Sequence, residues 1–144
     1  AGGISRFRSP EGRSMEDENP MIGMTEEEKT EYVIEQAMQI ILSSGDARTH
    51  ASKAFDAICE GRYDDAEALL REAEKTQTVA HNIQTAMIQG DIRGDEERLG
   101  YYVLFAHAQD TLMTIQVELN LTKSILRLAR ANDMRISTLE KKLA

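Results

Sequence analysis

The fold is decided by the stretch DEERLGYYVLFAHAQDTLMTIQVELNLTKSILRLARANDMRISTLEKKL, residues 95–143. Its apolar residues recur at intervals of three and four, which is typical of an amphipathic α-helix. The stripe consists of Leu99, Val103, Ala106, Met113, Val117, Leu121, Ile125, Leu128, Ile136, Leu139 and Leu143, with Asp110 at one of its positions. We therefore predict a helix that begins near Asp95 and reaches roughly 70 Å if unbroken, at 1.5 Å per residue.

Two further helical patterns precede this stretch. The first begins with a capping-box pattern at Thr25 and runs, with a possible bend or break at Gly45, to about Glu60. The second begins at Asp64 and is expected to end at Gly90 and Gly94, which flank a polar turn at residues 91–93, because glycine is a frequent helix stop. No segment shows the period-two alternation of a half-buried strand. Three helices joined by short turns must run antiparallel, so the predicted fold class is all-α, an antiparallel three-helix bundle.

Composition limits the classes of function. The 144 residues are 41% hydrophobic and 29% charged, which suits one domain with its own core. A net charge of -8 disfavours binding to nucleic acid or anionic membrane and favours a basic protein partner. No stretch is apolar enough to span a membrane, so we expect a cytoplasmic protein without membrane insertion. The single cysteine, Cys59, excludes an intramolecular disulfide, and its apolar neighbours suggest a packing role.

The first residues differ in composition from the rest. Both prolines and four of the nine glycines lie within the first 23 residues, and Met15 is a possible native start. We interpret residues 1–24 as a flexible N-terminal lead-in, at least partly derived from a cloning vector. Residues 25–144 then form the functional domain.

Asp110 is the one conflict within the apolar stripe. An ionised carboxylate buried there would cost several kcal/mol, on the order set by desolvation, unless it is compensated. His107 precedes it by three residues and Thr111 follows His107 by four, so a ring, a carboxylate and a hydroxyl cluster within one turn. The residues alone leave two readings open: a buried polar group satisfied by a neighbouring helix, or part of a catalytic or metal site. The wide stripe also predicts an oligomer.

Three segments resemble one protein family. The run HAQDTLMT, residues 107–114, resembles the signature of the IIA component of the lactose/cellobiose/diacetylchitobiose branch of the bacterial sugar phosphotransferase system. The segment GDAR, residues 45–48, is similar to the family's first helix, and residues 80–85 are similar to its second. The resemblance extends over roughly residues 25–134, and its segments are collinear.

The resemblance implies a phosphocarrier. His107 matches the histidine that accepts a phosphoryl group from phospho-HPr and passes it to a cysteine of the IIB component. The sugar is then phosphorylated as it enters through the membrane IIC component, which the phosphocarrier reaches only indirectly. A neutral imidazole suits this chemistry because it has a free lone pair near neutral pH. Lactose, cellobiose and diacetylchitobiose all remain open as the sugar.

The resemblance also implies a homotrimer with a structural metal. Asp110 matches an acid that meets its two symmetry mates near the threefold axis, with a divalent cation, expected to be Mg²⁺, between them. Gln109 matches a residue whose amide donates to a phosphoryl oxygen or to the metal-bound shell. Thr111 stands where the family usually has a second histidine, and its hydroxyl is able to donate one hydrogen bond to a phosphoryl oxygen.

Two other functions remain alternatives. A helical trimeric adaptor or assembly module would use the third helix as a coiled coil, with Asp110 setting only its register. A metal-dependent hydrolase would use His107 and Asp110, but it lacks the further ligands that such a centre needs. We interpret the remaining polar candidates as structural or surface residues: His50, His81 and Arg48.

Overall fold

A computed structural model describes residues 20, 21, 23–92 and 102–144 of the protein, and it contains three helices. Helix α1 spans Glu26–Cys59, α2 spans Tyr63–Ile92 and α3 spans Val103–Leu143. Each helix packs against both of the others. The described part of the chain contains no strand, which confirms the all-α three-helix class.

The start and the end of α1 are fixed by local chemistry. The Thr25 hydroxyl accepts a hydrogen bond from the Glu28 backbone N–H, and the Glu28 carboxylate accepts one from the Thr25 N–H. The bond from the Thr25 N–H is the main reason that the pKa of Glu28 lies below its usual range. The helix passes through Gly45 as one piece, so the possible break there is absent. Gly61 follows the helix with φ +74°, a left-handed conformation that suits glycine and confirms the predicted stop.

Two predicted boundaries are wrong. Helix α2 continues past Gly90 to Ile92, because one glycine inside a helix costs only about 1 kcal/mol and does not by itself end the helix. Residues 93–101 lie outside the described residues, so the expected helix start near Asp95 falls there. Tyr102 has an extended backbone, φ -112° and ψ 116°, and α3 begins only at Val103. A helix continuous from Asp95 is therefore excluded.

Most of the expected lead-in, residues 1–24, also lies outside the described residues. Of the part that is described, Met21 is 3% exposed. It packs in the same apolar cluster as Val33 and Ala37 of α1 and Phe105 of α3. This short segment before α1 therefore contributes to the core.

The buried face of α3 is not the predicted one. Its buried residues are Phe105, Ala108, Leu112, Ile115, Leu119, Thr122 and Leu126. The stripe predicted as core instead faces outward in the single chain, with Val103, Val117 and Leu121 each more than half exposed. Periodicity predicts that a face is apolar, but it does not say which of two apolar faces meets the chain's own helices. Asp110 lies on the outward face and is exposed. The expectation that it is buried inside one chain is therefore also wrong.

Replacement of glycine by alanine is expected to change the free energy of unfolding in opposite directions at two positions. Gly61→Ala forces an alanine into a left-handed conformation and is expected to lower the free energy of unfolding by about 1–2 kcal/mol. Gly45→Ala adds a methyl group with no atom within 4 Å to a helix interior. It is expected to raise the free energy of unfolding by about 1 kcal/mol. Urea unfolding of both variants measures the two changes, and equal signs would contradict the assigned backbone conformations.

Candidate functional site

His107 lies on the exposed side of α3, in the second turn of the helix. The opposite side of the same turns is anchored in the core, since Phe105, Ala108 and Leu112 are each 5% exposed or less. These three residues pack with buried side chains of α1 and α2. The core therefore holds the backbone beneath His107 while leaving its ring exposed in the single chain.

The start of α3 is electrostatically unlike the starts of the other helices. Three glutamates occupy the first turn of α1, and Asp64 and Asp65 occupy that of α2. The first turn of α3 contains no acid, and its N-cap residue, Tyr102, makes no side-chain capping bond. The first N–H groups of a helix lack intrahelical partners and carry a partial positive charge. Helical side chains tilt toward the N-terminus, so an anion on His107 would lie toward this positive end.

The two threonines near His107 bond back to their own helix. The Thr111 hydroxyl donates to the His107 carbonyl oxygen at 2.9 Å, and the Thr114 hydroxyl donates to the Asp110 carbonyl oxygen at 2.7 Å. This back-bonding is common for threonine inside helices. The hydroxyl hydrogen of Thr111 is thus engaged, and a contact with a phosphoryl group on His107 requires this bond to be exchanged.

Gln109 and Asp110 are placed differently relative to His107. Gln109 follows His107 by two residues, so helical geometry puts it on another side of α3, where it is partly buried. Asp110 follows by three residues and shares the exposed side, between the outward apolar residues Val103 and Met113.

The residues of one chain supply few metal ligands. Among the described residues, no three His, Cys, Asp or Glu side chains are grouped as a metal site. An ion at Asp110 would therefore need oxygen ligands from other copies of the chain or from water.

The other sequence candidates have local roles. The His50 Nδ1 lies 3.0 Å from the Asp46 carbonyl oxygen, in the same helix. Arg48 donates two hydrogen bonds to the Glu118 carboxylate, at 2.8 and 2.7 Å, which joins α1 to α3. The side chain of His81 is exposed on α2. Cys59 is exposed as well, so its predicted packing role is wrong because it falls on the outer side of the last turn of α1.

Gln77 is a positioning residue that the sequence reading missed. It is 3% exposed on α2, and its side-chain amide donates to the Leu112 carbonyl oxygen of α3 at 2.8 Å. The sequence does contain a signal, since Gln77 continues the buried stripe between Ala73 and Ala80. This bond fixes α3 against α2 five residues beyond His107.

The sequence and the fold of this chain are similar to those of known proteins. The family model described as "PTS system, Lactose/Cellobiose specific IIA subunit" matches residues 35–130. The oligo-beta-mannoside-specific EIIA component of Bacillus subtilis is 35% identical over 98 residues, covering 68% of this chain and 87% of that protein. The lactose-specific EIIA component of Lacticaseibacillus casei is 34% identical over 103 residues, covering 72% and 87%. The crystal structure of PtcA from S. mutans aligns with a TM-score of 0.64 at 36% identity, covering 74% of this chain and 99% of that one.

This chain therefore belongs to the lactose/cellobiose IIA family of the phosphotransferase system. Members of this family are phosphotransferase components that act with HPr and a IIB component in sugar uptake. None of the three described helices is long and apolar enough to cross a membrane.

The bond from Gln77 can be tested by mutation. Gln77→Ala removes a buried interhelical hydrogen bond and leaves a cavity, so the free energy of unfolding is expected to fall by about 1–3 kcal/mol. Thr78→Ala is the matched control, because Thr78 is an exposed neighbour whose hydroxyl bonds only within α2. It is expected to change stability by less than about 0.5 kcal/mol. Equal effects in urea unfolding would rule out a special role for Gln77.

Proposed function

We propose that this chain carries a phosphoryl group on His107, received from phospho-HPr and passed to a cysteine of the IIB component. The observation that carries the proposal is an exposed imidazole beside the acid-free N-terminus of α3, within the part of the chain that the family model matches. Exposure is required because both donor and acceptor are separate proteins. The family assignment supplies the reaction class.

Each transfer exchanges one bond to phosphorus for another. A ring nitrogen of neutral His107 attacks the phosphorus atom with its lone pair while the bond from phosphorus to HPr breaks. In the second transfer a IIB thiolate attacks, and the bond to His107 breaks in turn. Such in-line transfer is catalysed mainly by positioning and by stabilisation of the phosphoryl oxygens. The N–H groups at the start of α3 are suited to the second task.

The residues around His107 supply a limited set of further contacts. We assign to Gln109 and Thr111 hydrogen bonds to phosphoryl oxygens. For Thr111 this contact replaces the bond from its hydroxyl to the His107 carbonyl oxygen, and for Gln109 the side chain must reach across from a different side of α3. The net charge of -8 suits a basic docking partner and a transient complex.

The transported sugar belongs to the class of disaccharides for which the family and several relatives are named, such as lactose, cellobiose or chitobiose. Relatives at 35% and 34% identity are named for different sugars, so sequence similarity of the IIA chain does not choose among them. The sugar does not contact the phosphocarrier, and its selection therefore falls to the membrane component.

The acceptor is tested by phosphorylation of variants of the three histidines. After incubation with phosphoenolpyruvate, enzyme I and HPr, the native chain is expected to carry one acid-labile, alkali-stable phosphoryl group. His107→Ala is expected to abolish it because the accepting nitrogen is gone. His50→Ala and His81→Ala are matched controls that should retain it. A folded native chain without any adduct would instead support the adaptor function.

We further propose that the chain assembles as a homotrimer through the outward face of α3, with Mg²⁺ shared by the three copies of Asp110. The support is the row of exposed apolar residues on both sides of a single exposed carboxylate. Apolar surface of this extent is typical of an interface, and three converging carboxylates need a cation to offset their repulsion.

The shared ion predicts a chelator-dependent assembly. In sedimentation experiments, the native chain is expected to associate more tightly with Mg²⁺ than with a chelator. In Asp110→Leu the carboxylates are removed, so association is expected to be the same in both conditions. Asp46→Leu, on the exposed side of α1, is the control that should keep the native response. A native chain that ignores the chelator would exclude the shared ion.

A further inference from the structure

A groove between α2 and α3 lies far from His107. It encloses about 550 Å³, within the range of about 300–1,000 Å³ that is typical of small-molecule sites. Its walls are formed by residues 67–74 of α2 and residues 120–130 of α3. Lys123, the cation of the α3 wall that is nearest to His107 in the sequence, follows it by 16 residues, or about 24 Å along the helix. A ligand in this groove would therefore not occupy the proposed phosphorylation site.

Positive charge dominates the lining of the groove. Four of its side chains are cationic and two are acidic, which leaves an excess of two positive charges. The cations are Arg71 of α2 and Lys123, Arg127 and Arg130 of α3. Asp64, which does not line the groove, offsets one of these charges by pairing with Arg130. Because the whole chain has a net charge of -8, this local positive excess is contrary to the average and favours an anion.

Arg127 differs from the other cations of the groove. The other three are held by carboxylates, in the pairs Arg71–Glu67, Lys123–Glu74 and Arg130–Glu67. Arg127 instead donates to the Ser124 hydroxyl at 3.2 Å and forms no ion pair within the part of the chain that the structure describes. A guanidinium has five N–H donors in a planar fork, so most of those on Arg127 remain available to a ligand.

The rest of the lining suits a ligand that is both apolar and hydroxylated. Leu70 and Leu126 lie at the base of the groove, since they are only 3% and 5% exposed. Asn120, Ser124 and Glu74 also line it. Their amide, hydroxyl and carboxylate groups donate or accept hydrogen bonds of the kind that hydroxyl groups make. A sugar presents both C–H surface and hydroxyl groups, and it therefore matches this combination.

We propose that this groove binds a sugar phosphate, with its phosphate on Arg127 and its sugar over Leu70 and Leu126. Three guanidinium groups from two helices contact more oxygens of a phosphate than the two that a carboxylate offers. Exposed ion pairs contribute little to stability, so Arg71 or Arg130 is redirected to the phosphate at small cost. The proposal concerns binding in the groove and does not rest on phosphotransfer by His107.

Titrations of the native full chain with three probes test the ligand class. Glucose 6-phosphate, glucose and inorganic phosphate are added through the millimolar range at a pH above the second phosphate pKa of about 6, and amide NMR shifts are followed. Glucose 6-phosphate is expected to saturate the shifts. Inorganic phosphate is expected to bind at least about fivefold more weakly because it lacks the sugar, and glucose is expected not to saturate. No saturation by glucose 6-phosphate, or equal affinity for inorganic phosphate, would overturn the proposal.

A pair of arginine variants tests the phosphate contact. Arg127→Gln removes a guanidinium without breaking an ion pair, so the fold is expected to stay native while the affinity for glucose 6-phosphate falls at least about tenfold. Arg135→Gln is the matched control, because Arg135 is an exposed arginine of α3 that does not line the groove. It is expected to keep the native affinity. Native affinity in Arg127→Gln, or an equal loss in both variants, contradicts the assigned contact.

The positions of the shifted amides locate the ligand. Glucose 6-phosphate is expected to shift the amides of residues 67–74 and 120–130, which form the groove. The start of α3 is the competing anion site, because its first N–H groups lack intrahelical partners. Shifts centred on residues 103–107 would show binding there and would exclude the groove. This readout is obtained on the unphosphorylated chain, so a failure of the proposed phosphotransfer would leave it unchanged.

Discussion

The structure depends on one constraint: α3 is apolar on two sides, and only one of them meets α1 and α2. The buried side runs from Phe105 through Leu112 to Leu119, and it closes the core. The outward side, which includes Val117 and Leu128, remains exposed in a single chain. A helix with apolar residues on both sides is best satisfied when it is central to an assembly. The proposed association between chains would therefore use none of the residues that pack α3 against α1 and α2.

Much of the fold followed from local rules in the sequence. The Thr25 capping box, the Gly61 stop and the three-helix class are all present, because each depends on short-range geometry or on a dominant period. The prediction of which side of α3 is buried is wrong, because the apolar residues on both sides follow the helical period. The expected helix end at Gly90 is wrong because a single glycine lowers helix stability only slightly. Which side of a helix faces the core is decided by tertiary packing, and the periodicity of that helix alone does not determine it.

The sequence motif of the candidate site was predictable, but the structural surroundings of His107 were not. The run around His107 pointed to the residue that the structure leaves exposed. The sequence did not reveal that Tyr102 is extended and that α3 starts only four residues before the histidine. Nor did it reveal the bond from Gln77, because a glutamine in an apolar stripe gives no indication of its partner. Such partners become visible only when two helices are placed side by side.

A polar layer divides the core into two apolar clusters, and its position has a mechanical consequence. Ser44 of α1 and Gln77 of α2 are both buried, and the Ser44 hydroxyl and the Gln77 side-chain oxygen each lack a hydrogen-bond partner among the described residues. Each such group costs about 1–3 kcal/mol, so the layer is not favoured for stability alone. The Gln77 amide nevertheless reaches one defined carbonyl on α3, which penalises any sliding of the helices. Because His107 lies about one and a half turns earlier on the same helix, this register also fixes the backbone position of His107 relative to α1 and α2.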